Sequence, residues 1–214
     1  MGKLYYITGG AGSGKSEYAE QLAERLHTEL AGPLYYVATM NPAPRDSDAA
    51  ARIAKHQKRR EHKGYTTIEC PTDIAVLSRR LEHDITSDAE RSKNHHPEMP
   101  SASSTHRTSV STQIDQQSNP SRAVFLLEDL TNLYANEVYG TSGHPHEILA
   151  PLLELTQQAG ALIIVANELY SDGIDYGPET DRFLRDLADL AAALSAAADQ
   201  VTEVVYGIPV QLKA

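Results

Sequence analysis

The chain has 214 residues, a formal net charge of −10 and a single cysteine, Cys70. The length suffices for one α/β domain with a well-buried core, the negative charge argues against a protein that coats nucleic acid, and one cysteine excludes an intrachain disulfide and a cysteine-based zinc cluster. Because no apolar run approaches the ~20 residues of a membrane span and the N-terminus lacks a signal-peptide layout, we expect a soluble cytoplasmic protein.

The first predicted element is a strand over residues 4–8, and a glycine-rich loop follows it. Residues 9–16 fit the phosphate-binding motif G-x-x-x-x-G-K-[ST]. The motif consists of Gly9, Gly10, Ala11, Gly12, Ser13, Gly14, Lys15 and Ser16. Residues 17–26 then repeat apolar side chains at helical spacing, so the motif lies between a strand and a helix, as its chemistry requires.

The residue types of this loop suit a nucleoside triphosphate. The glycines let backbone N–H groups turn toward phosphate oxygens, and the positive end of the following helix adds to the attraction. We expect Lys15 to reach the β and γ phosphates and the Ser16 hydroxyl to ligate Mg²⁺. The alternative is a glycine-rich turn that matches by chance, which the flanking strand and helix disfavour. The loop therefore predicts a nucleotide site with Mg²⁺.

A second strand and an unusually basic helix come next. Residues 34–40 predict a buried strand, and residues 47–60 favour a helix with many cations and one histidine, His56. A lone histidine is usually a surface or packing residue. Here, like-charge repulsion lowers the imidazole pKa, and a neutral histidine beside a triphosphate can attack the α-phosphorus. The residues alone leave both interpretations open.

A polar segment interrupts the pattern after a short strand over residues 66–69 and a helix over residues 73–82. Residues 84–122 are rich in Ser, Thr, Asn, Gln and His, and they cannot bury enough apolar surface to offset their ordering entropy. We expect a disordered surface insertion inside a single domain that spans residues 1–214. Without metal-ligand spacing, its histidines are interpreted as solvated loop residues: His95, His96 and His106.

An apolar strand over residues 123–129 ends in two acids, Glu128 and Asp129. This is the Walker B pattern, in which a carboxylate at the end of the strand holds Mg²⁺ or its water shell beside the phosphate-binding loop. The alternative is a strand whose last residues are merely exposed. Helices are predicted over residues 130–138 and 146–158.

The remaining elements complete an alternation of strands and helices. Residues 161–168 predict a buried strand, residues 179–198 a long helix, and residues 201–213 a closing hairpin. Ligands of open α/β sheets lie at the carboxyl ends of the strands. We therefore expect one edge of the sheet to collect Thr8, Thr39, Glu128, Asn167 and Glu168.

Several blocks are colinear over nearly the whole chain outside residues 84–122. They are the loop with Thr8 before it, Tyr36-Val37-Ala38-Thr39, Arg52-Ile53-x-x-His56, Leu126-Leu127-Glu128 with Leu130-Thr131-Asn132, Asn167-Glu168, Arg182-Phe183-x-Arg185-Asp186, Ala197-Ala198-Asp199 and Gly207-Ile208-Pro209. Together they resemble the bifunctional adenosylcobinamide kinase / adenosylcobinamide-phosphate guanylyltransferase family of cobalamin biosynthesis. The resemblance implies a RecA-like P-loop NTPase fold of class α/β, with a mostly parallel central sheet flanked by helices, a C-terminal hairpin and assembly as a homotrimer.

The resemblance also implies two reactions. A nucleoside triphosphate, ATP or GTP, phosphorylates the aminopropanol hydroxyl of adenosylcobinamide. GTP then guanylylates a histidine, and GMP passes to adenosylcobinamide phosphate to give adenosylcobinamide-GDP.

Site residues follow from the same resemblance. The guanylylated histidine corresponds to His56, and Lys15 would be the second catalytic residue. Ser16 and Glu128 would hold the metal, and Glu69 and Glu128 would contact the nucleotide or its metal. The nucleotide would further be lined by Ala38, Thr39, Met40, Gln57, Lys58, Arg59 and Arg60.

Three departures from the family pattern stand out. Gly12 occupies a position where the family usually has arginine, residues 189–193 replace a Gly-x-x-Asn-Gln pattern, and the loop over residues 169–178 is longer and lacks the usual Val-Gly start. Two alternatives stay open: a diverged P-loop kinase that kept only phosphoryl transfer or took another alcohol, and a nucleotide-binding regulatory protein.

Overall fold

A computed structural model describes residues 2–40, 54, 58, 60–79, 81, 120–140 and 143–214. Most of the basic helix predicted over residues 47–60 lies outside the described residues, although positions 54, 58 and 60 are described and helical. The polar insertion predicted over residues 84–122 also lies outside them, apart from a 3₁₀ turn at Pro120–Arg122.

The described residues form one seven-stranded sheet in the order β3-β2-β4-β5-β1-β6-β7. All neighbouring strands are parallel except β6 and β7, which form the C-terminal hairpin. The strands are β1 (Lys3–Thr8), β2 (Leu34–Ala38), β3 (Tyr65–Glu69), β4 (Val124–Glu128), β5 (Ala161–Val165), β6 (Gln200–Val205) and β7 (Ile208–Lys213).

Helices cover both faces of this sheet. Those with described bounds are α1 (Lys15–Leu30), α2 (Leu130–Tyr139), α3 (Leu149–Gln158) and α4 (Pro178–Ala197). Residues 75–79 and 81 are also helical, within the helix predicted over residues 73–82. The apolar face of α1 packs on one side of the sheet, and the apolar faces of α2, α3 and α4 pack on the other. Burial on both faces explains why the central strands β4 and β5 are continuous apolar runs without alternation.

The strand order confirms the predicted fold class. β1 leads into the phosphate-binding loop, β4 ends in the acidic pair, and β5 lies between them. One intervening strand between these two is the arrangement of RecA-like P-loop proteins. Since six strands run in the same direction, their carboxyl ends meet at one edge, as predicted.

Some element boundaries differ from the predictions by a few residues. β2 ends at Ala38, and β5 ends at Val165. After β5, the Ala166 N–H donates to the Ile7 carbonyl on β1, and the Glu168 N–H donates to the Gly9 carbonyl in the phosphate-binding loop. The helix predicted from residue 146 begins at Leu149, after a 3₁₀ turn at Pro145–Glu147. Within the described part of the chain, no helix is both long and apolar enough to cross a membrane.

Candidate nucleotide site

The phosphate-binding loop wraps at the N-terminus of α1. Gly14 precedes this helix with a left-handed backbone (φ 95°), and a Cβ at this position would lie 3.2 Å from Gly207 Cα. Gly9, at φ 149°, has the carbonyl oxygen of Val204 only 2.5 Å from the position of a Cβ. Both positions therefore need glycine, because a side chain would meet backbone and disfavour the observed conformation.

Lys15 lies buried at the start of α1. Its Nζ donates a hydrogen bond to the Gly10 carbonyl at 3.0 Å, which leaves donors for a further oxygen. Burial lowers the pKa of the Lys15 ammonium, while the nearby Asp129 and Glu128 carboxylates oppose that shift. A buried cation that faces a glycine-rich loop suits a phosphate oxygen.

Two buried hydroxyls at the loop fit an oxygen-rich ligand. Ser13 Oγ and Thr8 Oγ1 are both buried, and neither has a hydrogen-bond partner among the described residues. Unsatisfied buried hydroxyls are costly, so a ligand with phosphate oxygens would relieve both. The Ser16 hydroxyl and the Glu128 carboxylate are hard oxygen donors of the kind that Mg²⁺ takes. Among the described residues, no group of three or more His, Cys, Asp or Glu could hold a metal on its own.

The acidic pair divides into two roles. The Asp129 carboxylate caps α2, with Oδ1 accepting from Asn132 N–H at 2.7 Å and Oδ2 accepting from Asn167 Nδ2 at 3.0 Å. Burial raises the pKa of the Asp129 carboxyl, and the Asn132 N–H opposes that shift. Glu128 Oε2 accepts from the Tyr36 hydroxyl at 3.1 Å. Asp129 therefore serves as the cap of α2, whereas Glu128 lies at the end of β4 with the Tyr36 hydroxyl bonded to its carboxylate.

Thr39 is completely buried between β2 and β4. Its hydroxyl donates to the Asp129 carbonyl at 2.8 Å and accepts from the Asp129 N–H at 2.7 Å. The Thr39 carbonyl accepts from Asn136 Nδ2, which also donates to Pro71 O. These bonds fix the backbone beneath the acidic pair, and they occupy the side chain of a residue that the sequence predicts to line the nucleotide. Ala38 and Met40, on either side of Thr39, are partly exposed.

Glu69 ends β3, at the same edge as Glu128. Both residues are in register with Ala38 on the strand between them. Two strand spacings put their backbones roughly 9–10 Å apart. Because Glu69 is exposed and lies two strands from Glu128, it faces a different part of any ligand bound along this edge.

The end of the basic helix reaches this site through Arg60. Its guanidinium lies 3.2 Å from the centroid of the Tyr36 ring, and its Nη1 is buried without a hydrogen-bond partner in the described part of the chain. A cavity of ≈ 560 Å³ beside it is lined by residues that include Lys58, His62 and Tyr65. The predicted residues His56, Gln57 and Arg59 lie outside the described residues.

The sequence analysis assigned no site contact to three residues that build the site: Tyr36, Asn132 and Asn136. The sequence pattern indicates only that Tyr36 belongs to a buried strand. The pairing of β2 with β4 is what places the Glu128 carboxylate beside the Tyr36 hydroxyl. Asn136 is one of several polar residues of its helix, and nothing in the sequence distinguishes its amide. Asn132 could have been anticipated, since an aspartate three residues before it at a helix start indicates an N-cap.

Comparison with known proteins identifies the family. Residues 5–88 and 82–212 match the model of the family described as cobinamide kinase / cobinamide phosphate guanyltransferase. The chain belongs to this family. Among relatives, the bifunctional adenosylcobalamin biosynthesis protein CobP of Pseudomonas aeruginosa is 28% identical over 213 residues, which cover 97% of this chain and 95% of that protein. The recognition made from the colinear blocks is thereby confirmed.

Solved structures give more distant likenesses. The flagellar accessory protein FlaH from Methanocaldococcus jannaschii has a TM-score of 0.47 and 12% identity, over 99% of this chain and 78% of that one. The KaiC-like protein PH0186 from Pyrococcus horikoshii OT3 has a TM-score of 0.41 and 13% identity, over 94% of this chain and 70% of that one. Likenesses at this level say nothing about function. The functional assignment rests on the family and on the site.

Proposed function

We propose that this member of the cobinamide kinase / cobinamide phosphate guanyltransferase family phosphorylates adenosylcobinamide and then transfers GMP to the product. The observation that carries the proposal is the buried Lys15 at the start of α1, inside a glycine-rich loop and within electrostatic reach of Glu128 and Asp129. A cation, a helix N-terminus and a metal-binding carboxylate at one point are what a triphosphate with Mg²⁺ requires.

The kinase step uses the loop to position a nucleoside triphosphate. The aminopropanol hydroxyl oxygen of adenosylcobinamide attacks the γ-phosphorus, and the bond between this phosphorus and the β-γ bridging oxygen breaks. The nucleoside diphosphate leaves, and the hydroxyl proton passes to solvent or to a carboxylate. Lys15 and the loop N–H groups stabilise the charge on the β and γ oxygens. Ser16 and Glu128 would hold Mg²⁺, which would supply further screening of that charge.

The guanylyl step uses His56 as the nucleophile. An imidazole nitrogen attacks the α-phosphorus of GTP, a nitrogen–phosphorus bond forms, and pyrophosphate leaves. A phosphate oxygen of adenosylcobinamide phosphate then attacks the same phosphorus and displaces the histidine, which gives adenosylcobinamide-GDP. The cations that flank His56 in the sequence, from Arg52 to Arg60, support this role because they attract the triphosphate and disfavour a protonated imidazole. Ala38, Met40 and Glu69 lie at or just after the carboxyl ends of β2 and β3.

Labelling with [α-³²P]GTP and Mg²⁺ tests the proposal. Wild-type protein should acquire an acid-labile, alkali-stable label of one GMP per chain, and His56→Ala should abolish it. His62→Asn is the matched control, since His62 is exposed six positions later and asparagine tolerates its left-handed backbone (φ 71°). That variant should keep the label. An unlabelled wild type that still phosphorylates adenosylcobinamide would indicate a kinase only, and a protein that binds nucleotide but transfers nothing would indicate a regulatory protein.

Assembly as a homotrimer is proposed with the same function. The resemblance implies it, and apolar side chains exposed on the edge strand β7 support contact with another copy: Ile208, Val210 and Leu212. Light scattering coupled to size exclusion should give three times the chain mass, and a monomeric mass would refute it. The cytoplasmic location stays a prediction from the sequence.

A further inference from the structure

One tyrosine connects two parts of the site that come from different elements. Tyr36 lies on β2 with 5% of its surface exposed, and its hydroxyl donates to Glu128 Oε2 at 3.1 Å. The Arg60 guanidinium lies over its ring at 3.2 Å from the centroid. The same side chain therefore contacts the acid at the end of β4 and the cation at the end of the basic helix.

The tyrosine is itself held rigidly. Its ring meets the edge of Tyr65 at a centroid distance of 6.4 Å and an interplanar angle of 89°. The Tyr65 hydroxyl in turn donates to the Glu20 carbonyl on α1, the helix that follows the phosphate-binding loop. A ring packed against Arg60 on one side and Tyr65 on another has few rotamers available, which favours a fixed position for its hydroxyl.

The hydroxyl of Tyr36 holds the carboxylate that ends β4. The bond from the Tyr36 hydroxyl to Oε2 restricts rotation of the Glu128 carboxylate at the end of β4. A carboxylate held in one orientation binds a cation better than one that must first be ordered.

Arg60 is the second group that the ring orients. The residue is 7% exposed, and Nη1 is buried with no hydrogen-bond partner among the described residues. Guanidinium groups stack on aromatic faces and bind phosphate through planar donor pairs. A buried, unsatisfied donor at this edge points to an anionic ligand, which the phosphates of a nucleotide supply.

We propose that Tyr36 is the positioning residue of this site, with its hydroxyl orienting Glu128 for the divalent cation and its ring orienting Arg60 for the nucleotide phosphates. The inference rests on the proposed function, because it takes a nucleotide with Mg²⁺ as the ligand of this edge. It assigns separate roles to two parts of one side chain: binding of the divalent cation depends on the Tyr36 hydroxyl, and binding of the nucleotide depends on the Tyr36 ring.

Two substitutions separate the two contacts. Tyr36→Phe removes the hydroxyl and keeps the ring beneath Arg60, and Tyr36→Leu removes both. Tyr35→Phe is the matched control: Tyr35 is equally buried on the same strand, but its ring stacks on Phe125 on the opposite face of the sheet. Arg60→Gln removes the guanidinium and leaves the tyrosine in place. This variant keeps the test decisive if Tyr36→Leu does not fold.

The measurements are binding constants, which need no turnover. Tb³⁺ replaces Mg²⁺ in the presence of GTP, and its luminescence is excited through tyrosine, which is possible because the chain has eleven tyrosines and no tryptophan. Tyr36→Phe should raise the Tb³⁺ dissociation constant about fivefold to tenfold. It should leave the affinity for a fluorescent GTP analogue in EDTA unchanged. Tyr36→Leu and Arg60→Gln should both weaken the analogue in EDTA by about tenfold.

The outcomes distinguish this inference from the proposed function. Wild type and Tyr35→Phe should agree in both assays. If wild type binds GTP and Tb³⁺ while Tyr36→Phe matches it in Tb³⁺ affinity, the role of the hydroxyl is refuted and the proposed function stands. If Arg60→Gln binds the analogue as wild type does, the role of the ring is refuted. A wild type that binds neither nucleotide nor Tb³⁺, with Lys15→Ala indistinguishable from it, overturns the proposed function itself.

Discussion

Replacing Thr39 with valine should destabilise the protein more than most single substitutions. Valine has nearly the shape of threonine, so the change removes one hydroxyl from a completely buried position and leaves no cavity. That hydroxyl makes two bonds to the Asp129 backbone, at 2.8 and 2.7 Å. Each bond lost in a buried setting, with its partner left unsatisfied, costs about 1–2 kcal/mol, so we expect a loss of about 2–4 kcal/mol.

Urea unfolding followed by circular dichroism measures this loss as a lower midpoint at unchanged m. A chain of this size loses roughly 2–4 °C in Tm per kcal/mol, so the melting temperature should fall by roughly 5–15 °C. Kinase activity should fall as well, because Glu128 precedes the freed Asp129. Thr39→Ser keeps the hydroxyl and should stay close to wild type.

Thr66→Val on β3 serves as a second control. Thr66 is exposed, so removal of its hydroxyl should change stability by less than about 0.5 kcal/mol. If Thr39→Val unfolds at the same urea concentration as Thr39→Ser, the bonds between β2 and the acidic pair do not stabilise this edge, and the reasoning fails.

Three further predictions concern the loop and the helix behind it. Lys63→Met should cost roughly 1 kcal/mol at pH 7, because Lys63 pairs with Glu24 at 2.7 Å and with the buried Glu20 at 3.4 Å. The Glu24 bond raises the Lys63 pKa, so the stabilisation by the Lys63 ion pairs is complete below pH 10.5 and is lost as pH rises through the folded-state pKa of Lys63. The difference in urea midpoint between Lys63→Met and wild type should therefore vanish above that pKa. A difference that stays constant with pH would contradict a stabilising role of the ion pairs. Gly12→Arg should lower the nucleotide dissociation constant about threefold to tenfold in a fluorescence titration, because Gly12 has open space around it for the new side chain. The left-handed backbone at this position, with φ +72°, should cost the arginine variant roughly 1 kcal/mol in stability. Unchanged binding would place the new guanidinium away from the phosphates. Gly14→Ala should abolish nucleotide binding in the same titration, because its Cβ would meet Gly207 at 3.2 Å at φ +95°, and retained binding would refute the need for glycine there.

The sequence predicted the parts of the site that depend on local order. The loop at residues 9–16 and the acids after β4 are each defined within a few residues of chain. The collection of strand ends at one edge followed from the parallel arrangement, which the alternation of strands and helices indicates.

The contacts between distant strands could not be predicted in the same way. Tyr36 meets Glu128 because β2 pairs with β4 in one register, although about ninety residues separate them in the chain. A shift of the pairing by one residue would turn the Tyr36 hydroxyl to the opposite face. Periodicity identifies a buried strand but does not identify its neighbours, so the roles of Tyr36 and Thr39 emerge only from the three-dimensional structure.

The turn between β6 and β7 makes the phosphate-binding loop a composite of both ends of the chain. Gly207 N–H donates to the Ser13 carbonyl at 2.7 Å, and its Cα closes on Gly14. A protein truncated before this turn would retain every residue of the nucleotide motif but lose the Gly207 contacts that support the conformation of the loop. Conversely, a ligand bound to β7 would be connected to the phosphate-binding loop through Gly207 and its contact with Ser13. The C-terminus is therefore a poor place for a deletion and a good place for a reporter of nucleotide occupancy.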